Sequence, residues 1–267
     1  MNPVLTNARV IGLFLLAAVL ALVWAGPLFW QVSPTDQNLA EIVQPPSAAH
    51  PLGTDQYGRD MLARLMDGGR ISLLSSTLIV AGALLLGTLA GLVAAGDSVM
   101  AKILTQFIDM LLALPSLIIA LVIVGALGIG VENLIIAFVA VGWPWYARLV
   151  RGIARERLTA PDILAARLAG VGHAAILRGH VIPHLTMRLA AAAAIDLGYT
   201  LGALAGLSYL GLGAQAPQAE WGLMLRDAQM FFTAAPWLLI GPCLAIGFAV
   251  AAALLLAEDM VRMQTRT

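Results

Sequence analysis

The sequence predicts an all-α, polytopic membrane protein with six transmembrane helices. Hydrophobic residues make up 60% of the 267-residue chain and charged residues only 11%, where an ordinary soluble domain carries about 25% charged residues. The apolar residues also gather into runs about as long as a bilayer is thick, roughly 20 residues of helix. Other classes are excluded by the same arithmetic. Disorder requires low hydrophobicity and high net charge, whereas fifteen basic side chains here balance fifteen acidic ones. That balance leaves no basic footprint for nucleic acid. The lone cysteine, Cys243, has no partner in the chain for a disulfide.

Each span follows from an apolar run, because backbone polar groups in hydrocarbon must bond within their own segment. Val10 to Trp30 and Ile71 to Gly96 carry no charge. Ile103 to Val131 is interrupted only by Asp109. Asn133 to Ala147 is shorter and ends in Trp143-Pro144-Trp145-Tyr146, an aromatic group suited to a membrane interface. Leu185 to Gly213 carries Arg188 and Asp196, and Ala234 to Ala257 closes the set uncharged. The first run is too long for a typical signal-peptide core and is followed by Pro27, so an uncleaved span is expected. With the N-terminus inside, eleven of the fifteen basic residues fall in inner segments and four (Arg59, Arg64, Arg70, Arg226) in outer ones. Positive charge concentrates on the cytoplasmic side, so both termini are expected there.

Residues 1–267 read as one transmembrane domain with three excursions. The outer segment 31–70 begins as a loop containing Pro34, Pro45, Pro46 and Pro51. It then predicts a short helix at the outer surface, capped by Thr54 or Asp55, with an apolar stripe of Met61, Leu62, Leu65 and Met66. Asp60 and Arg64 stand one turn apart on its other face. Residues 148–184 form a long basic cytoplasmic loop, and residues 214–235 a short outer excursion.

Catalytic motifs are missing from the sequence. A phosphate-binding P-loop ends in Lys followed by Ser or Thr, but the single lysine, Lys102, lies between Ala101 and Ile103. There is no HExxH or CxxC, and His173, His180 and His184 all fall in the loop region, so no metal site is expected. Gly206-Leu207-Ser208 has the look of a serine nucleophile, yet no histidine follows His184 to serve as its base; Ser208 is better read as a packing residue. Gly87 and Gly91, and Gly198, Gly202 and Gly206, form small-residue faces that let helices approach closely. Such faces suit packing within the bundle or against a second membrane subunit. Two carboxylates fall within the spans, and intramembrane acids are costly enough to be functional candidates. Asp109 lies near one end of its span and reads as structural; Asp196 is deeper and is either a translocation-path residue or a hydrogen-bonded structural acid.

The loop narrows the class. Leu164-Ala165-Ala166, Gly170 four residues on from Ala166, then Ile176 and His180-Val181-Ile182-Pro183 resemble the EAA loop of ABC importer permeases. A short helix, a glycine turn and a second helix make a rigid knob that a cytoplasmic ATPase can grip. His50-Pro51-Leu52-Gly53-Thr54-Asp55-Gln56-Tyr57-Gly58-Arg59-Asp60, Ala113-Leu114-Pro115-Ser116, Trp143 to Arg151, Leu207 to Gly213, Glu220-Trp221-Gly222 and Ala235-Pro236-Trp237 resemble the dipeptide/oligopeptide/nickel branch, and within it the second, shorter permease of the pair. The resemblance implies a type I importer permease fold in the bacterial inner membrane. It implies a homologous permease, two ATPases that bind ATP and Mg, and an extracytoplasmic binding protein as partners, with no cofactor on this chain. It assigns ATPase coupling to Asp162, Leu164, Ala165, Ala166, Gly170 and Val171. Asp196 and Asp109 are translocation-path candidates on the separate ground that they are the acids within the spans, Asp196 being the better of the two. Asp196 and the small-residue face from Gly198 suggest a cavity lined by the third and fifth spans. Leu164 departs from the family, standing where its glutamate is expected. The wording around Arg167 to His173 leans toward a nickel or metal-chelate cargo, with small peptides nearly level. Other classes are a proton- or cation-coupled secondary transporter using Asp109 or Asp196, and a scaffold without transport.

Overall fold

The structure, a computed structural model, describes residues 3–264. The first helix, α1, runs Pro3–Leu20 and continues through a π turn, Ala21–Ala25, to Gly26–Phe29. A π turn disturbs the regular carbonyl ladder, and Arg70 Nε donates to Val23 O there at 3.2 Å. Next come α2 (Met61–Ala94), α3 (Val99–Leu112), α4 (Ser116–Leu127) and α5 (Val131–Leu158). The short α6 (Pro161–Leu168) leads through His173–Ile176 and a π turn, Leu177–Val181, into α7 (Ile182–Tyr209). Finally α8 (Trp221–Ala228) precedes α9 (Trp237–Gln264). Among the described residues five helices are long and apolar enough to cross a membrane, and the bent pair α3–α4 makes a sixth.

Three elements differ from the sequence expectation, each for a local reason. The outer segment holds no separate surface helix: Met61 opens the 34-residue α2, capped by Asp60, whose carboxylate accepts from Ala63 N at 2.7 Å. Neither Thr54 nor Asp55 is the cap. Nothing between Met66 and Ile71 stops the helix, because Gly68 and Gly69 serve as close-contact points. A Cβ on Gly69 would lie 2.8 Å from the Trp221 ring. The stripe therefore faces inward, with Met61 and Leu65 in one core cluster with Val23, Trp221 and Leu238.

The third span is broken. Proline lacks an N–H and disfavours helix at the residue before it. Accordingly α3 ends at Leu112 and α4 begins after Pro115, at an angle of 89°. The fourth span, the shortest by composition, is instead a 28-residue helix that passes through Pro144 and absorbs residues 148–158. The loop predicted over 148–184 thus contracts, its first third being the charged end of α5.

Gly87 and Gly91 seat α2 on α5. A Cβ on Gly87 would fall 2.6 Å from Trp143 O, and one on Gly91 2.6 Å from Ala147 O. Backbone cannot yield as a flexible side chain can, so this pair is intramolecular packing. Gly87→Val is expected to separate the two helices and abolish recovery of a monodisperse complex in detergent, which size-exclusion chromatography reads directly.

The two ends of the bundle are distinct. At one, Arg9 meets Asp259 at 3.6 Å, Arg155 meets Asp97 at 2.9 Å and Arg188 meets Glu156 at 3.3 Å. Arg188 and Val261 line one cavity there, so the start of α1, the end of α9 and the segment around α6 share that end. At the other, Gly130 N donates to Leu212 O at 3.3 Å, and Arg64 reaches Pro34 O at 3.2 Å and Gln218 O at 3.4 Å.

Candidate functional site

The knob is built by simple local rules. Pro161 occupies the first helical position of α6, where a missing N–H costs nothing. Asp162 follows, and Arg157 from the end of α5 donates to it twice, Nη1 to Oδ1 at 2.9 Å and Nη2 to Oδ2 at 2.6 Å. The Arg157 hydrogen bonds hold the Asp162 carboxyl below the usual carboxylate range. The forked pair fixes the angle between the long helix and the short one. Gly170 closes α6 with φ +81°: its N–H donates to Arg167 O at 3.0 Å and Val171 N–H to Ala166 O at 3.0 Å. This is the double bond of a Schellman turn, which favours glycine at that left-handed position.

One face of the knob is anchored and the other is bare. Ile163, Ile176 and Val181 are fully buried with Tyr146 and Val150 of α5. Leu164 and Leu168, one turn apart on α6, and Val171, just past the glycine turn, are 46%, 91% and 40% exposed. Ala165 is exposed and Ala166 half-buried beside them. The six residues expected to couple thus lie together in one segment, with Asp162 braced against α5 and Leu164 and Leu168 exposed on it.

Asp196 lies elsewhere, inside the bundle. The fully buried Tyr146 donates its hydroxyl to Asp196 Oδ2 at 2.8 Å, and Thr200 Oγ1 is 3.5 Å from Oδ1. The carboxylate is therefore hydrogen-bonded and also faces open space. A cavity of about 420 Å³ is lined by Ile79, Leu112, Ser116, Trp145, Asp196 and Tyr199 among others. A second of about 590 Å³ shares Trp145, Asp196 and Tyr199 and reaches Arg188 and Val261 at the knob's end of the bundle. Asp109 is on the exposed face of α3 and lines neither cavity. Among the described residues no group of three His, Cys, Asp or Glu side chains converges as metal ligands would. Ser208 is fully buried, with a Cβ on Gly213 calculated to run into it, so it packs rather than presenting a nucleophile.

Sequence reading missed the most heavily bonded polar region. Asp60 and Arg64, expected on a solvated helix face, are 2% and 1% exposed. Asp55 accepts from Tyr57 N at 2.9 Å, Arg59 N at 3.0 Å and Arg59 Nε at 2.7 Å, and pairs with Arg64 Nε at 3.3 Å. Asp60 also accepts from Trp30 Nε1 at 3.1 Å and meets His50 Nδ1 at 2.8 Å. Asp227 approaches Arg59 at 3.8 Å, and burial pushes its carboxyl up from the ordinary value. Nearby, the fully buried Glu220 caps α8, accepting from Ser72 Oγ at 2.9 Å and from Gly222 N and Leu223 N at 3.0 Å each. Charge density alone did not mark it: His50 to Asp60 holds three charged residues in eleven, whereas Arg148 to Arg157 holds five in ten.

A helical bundle of this span number, with a short braced helix at one end and a partly open cavity along α7 lined by the exposed Trp145 and Tyr199, is the architecture of a multi-span membrane permease. Residues 83–266 match the profile of the binding-protein-dependent transport system inner membrane component family, and the chain belongs to that family of type I ABC importer permeases. The dipeptide transport system permease protein DppC of Alkalihalophilus pseudofirmus is 34% identical over 242 residues, covering 90% of this chain and 78% of that protein. The nickel transport system permease protein NikC of Escherichia coli is 35% identical over 244 residues, covering 89% and 87%. The glutathione transport system permease protein GsiD of Pectobacterium atrosepticum is 34% identical over 252 residues, covering 93% and 83%.

Proposed function

We propose that this chain is the permease subunit of an ATP-driven importer that carries a small peptide or a metal chelate, nickel included, delivered by an extracytoplasmic binding protein. The observation that carries the reading is the apolar tip of Leu164, Leu168 and Val171 on a braced protrusion. A surface of this kind, left in water, is unfavourable and calls for a partner. It lies at the bundle end where the sequence concentrates arginine, and positive charge favours the cytoplasmic side, which supports an orientation with that end and both termini inside. Two ATPases, with their ATP and Mg, dock there. A homologous permease packs against the face of α7 carrying Tyr199, Gly202 and Gly206, where nothing within 4 Å meets a Cβ placed on either glycine. ATPase closure moves the knobs, the braces transmit that motion to α5, and the helices tilt to admit cargo beside Asp196; hydrolysis restores the inward-facing state.

The glutamate of the family pattern contributes charge to the ATPase contact, whereas Leu164 offers apolar area. Burying a leucine side chain contributes roughly 1.5–3 kcal/mol, so docking without the acid is energetically reasonable. Leu168→Glu, placing charge on the most exposed tip residue, is expected to strip the ATPase subunits from the affinity-purified complex while the permease pair stays together. Retention of the ATPases would sink the docking assignment. Uptake that survives deletion of the ATPase genes yet collapses with the proton gradient would favour a secondary transporter instead.

A further inference from the structure

We propose that Asp196 is a charge-selecting site for the cargo, so that what passes beside it carries a localised positive charge, either a free ammonium group or a divalent cation. The inference rests on the permease reading above and adds the chemical class of what is carried. Among the described residues lining the 420 Å³ cavity, Asp196 is the one with a charged side chain; its neighbours Ile79, Leu112, Ser116 and Trp145 are apolar or neutral. A single carboxylate in low-dielectric walls focuses its field into the space it faces.

The geometry fits a ligand site better than a structural acid alone. Tyr146, with no exposed surface, fixes Oδ2 at 2.8 Å, whereas Oδ1 has only the long 3.5 Å approach of Thr200. One oxygen is thereby oriented and the other is left with capacity to accept. Asp196 also sits where the two cavities meet, since both are lined by Trp145, Asp196 and Tyr199. A cargo moving from one to the other passes the carboxylate. The next charge along α7 is Arg188, two turns on and roughly 12 Å away along the axis at the α-helical rise. Its guanidinium is engaged by Glu156 at 3.3 Å, so it does not cancel the acid. A positively charged group gains from this arrangement, and an anionic one is opposed.

The test uses the complete transporter in proteoliposomes, with binding protein outside and ATP inside. Initial uptake is measured for dialanine, which bears an ammonium, for N-acetyl-dialanine, which does not, and for Ni²⁺ as the radioactive ion. The chain is wild type, Asp196→Asn, Asp196→Glu or Tyr146→Phe. Wild type is expected to carry dialanine or Ni²⁺, or both, well ahead of N-acetyl-dialanine. Asp196→Asn should cut the charged-probe rate at least tenfold with the full set of subunits still co-purifying. Asp196→Glu, which keeps the charge, should recover a substantial part of it. Tyr146→Phe, which keeps the charge and loses its orientation, should fall between. Loss confined to dialanine identifies the ammonium as the selected group, and loss confined to Ni²⁺ the cation. The proposal is overturned if wild type carries N-acetyl-dialanine as fast as the better of the two charged probes, if it carries neither charged probe, or if Asp196→Asn matches Asp196→Glu. Absence of ATPase from the complex, or uptake without ATP, would strike the permease reading instead.

Discussion

Asp55→Ala is expected to lose the outer end of the protein. The carboxylate is 4% exposed and serves two arginines that are each 1% exposed. Removing one partner of a buried ion pair costs about 3–5 kcal/mol, because the opposing charge stays buried without compensation. Here two guanidiniums would be orphaned together, with Asp227 at 3.8 Å from Arg59 the nearest substitute. Thermal unfolding of the detergent-purified complex, followed by tryptophan fluorescence, should move down by about 10 °C, taking roughly 2–4 °C per kcal/mol for a chain of this size. Asp36→Ala, at an exposed position in the same segment, should stay within about 0.5 kcal/mol of wild type. If both variants melt alike, the cluster does not hold the outer segment.

Gly170→Val should uncouple ATP hydrolysis from transport. No atom lies within 4 Å of a Cβ built on Gly170, so space is not the constraint; the φ of +81° is. A left-handed conformation costs an ordinary L-residue roughly 1–2 kcal/mol and is worst for β-branched ones. Valine would drive the turn toward another conformation and swing Val171 away from the Leu164–Leu168 face. Asparagine tolerates the left-handed region far better, so Gly170→Asn should retain most coupling. The measured quantity is ATP hydrolysed per cargo molecule taken up. A ratio unchanged in Gly170→Val would remove the turn from the mechanism.

The sequence made the spans legible because hydropathy reports directly on a bilayer, and Ala165, Ala166 and Gly170 marked a short helix ended by a glycine turn, which the fold contains. It did not reveal where helices continue beyond the apolar run. Residues 148–158 are rich in arginine and so read as loop, yet an α-helix needs no hydrophobicity once it leaves hydrocarbon, and α5 continues to Leu158. Met61, Leu65 and Met66 gave a correct helical period with the wrong destination, because periodicity reports a buried face but not the element that buries it. Asp60 and Arg64 were misplaced for a related reason. Charge is read as exposure by default, and only the fold brings Trp30, His50 and Asp55 around them. The Asp196–Tyr146 contact spans fifty positions and lies beyond any local pattern.

The break at Pro115 bears on what surrounds it. A helix interrupted at 89° within a span leaves carbonyls without their usual donors, and lipid offers none in return. Such irregular backbone persists at membrane depth only where protein covers it or solvent reaches it. Leu114 and Ser116, on either side of the proline, both line the cavity that contains Asp196. The irregular backbone at Pro115 therefore borders a cavity and is not surrounded by lipid alone, which is the setting such a break requires.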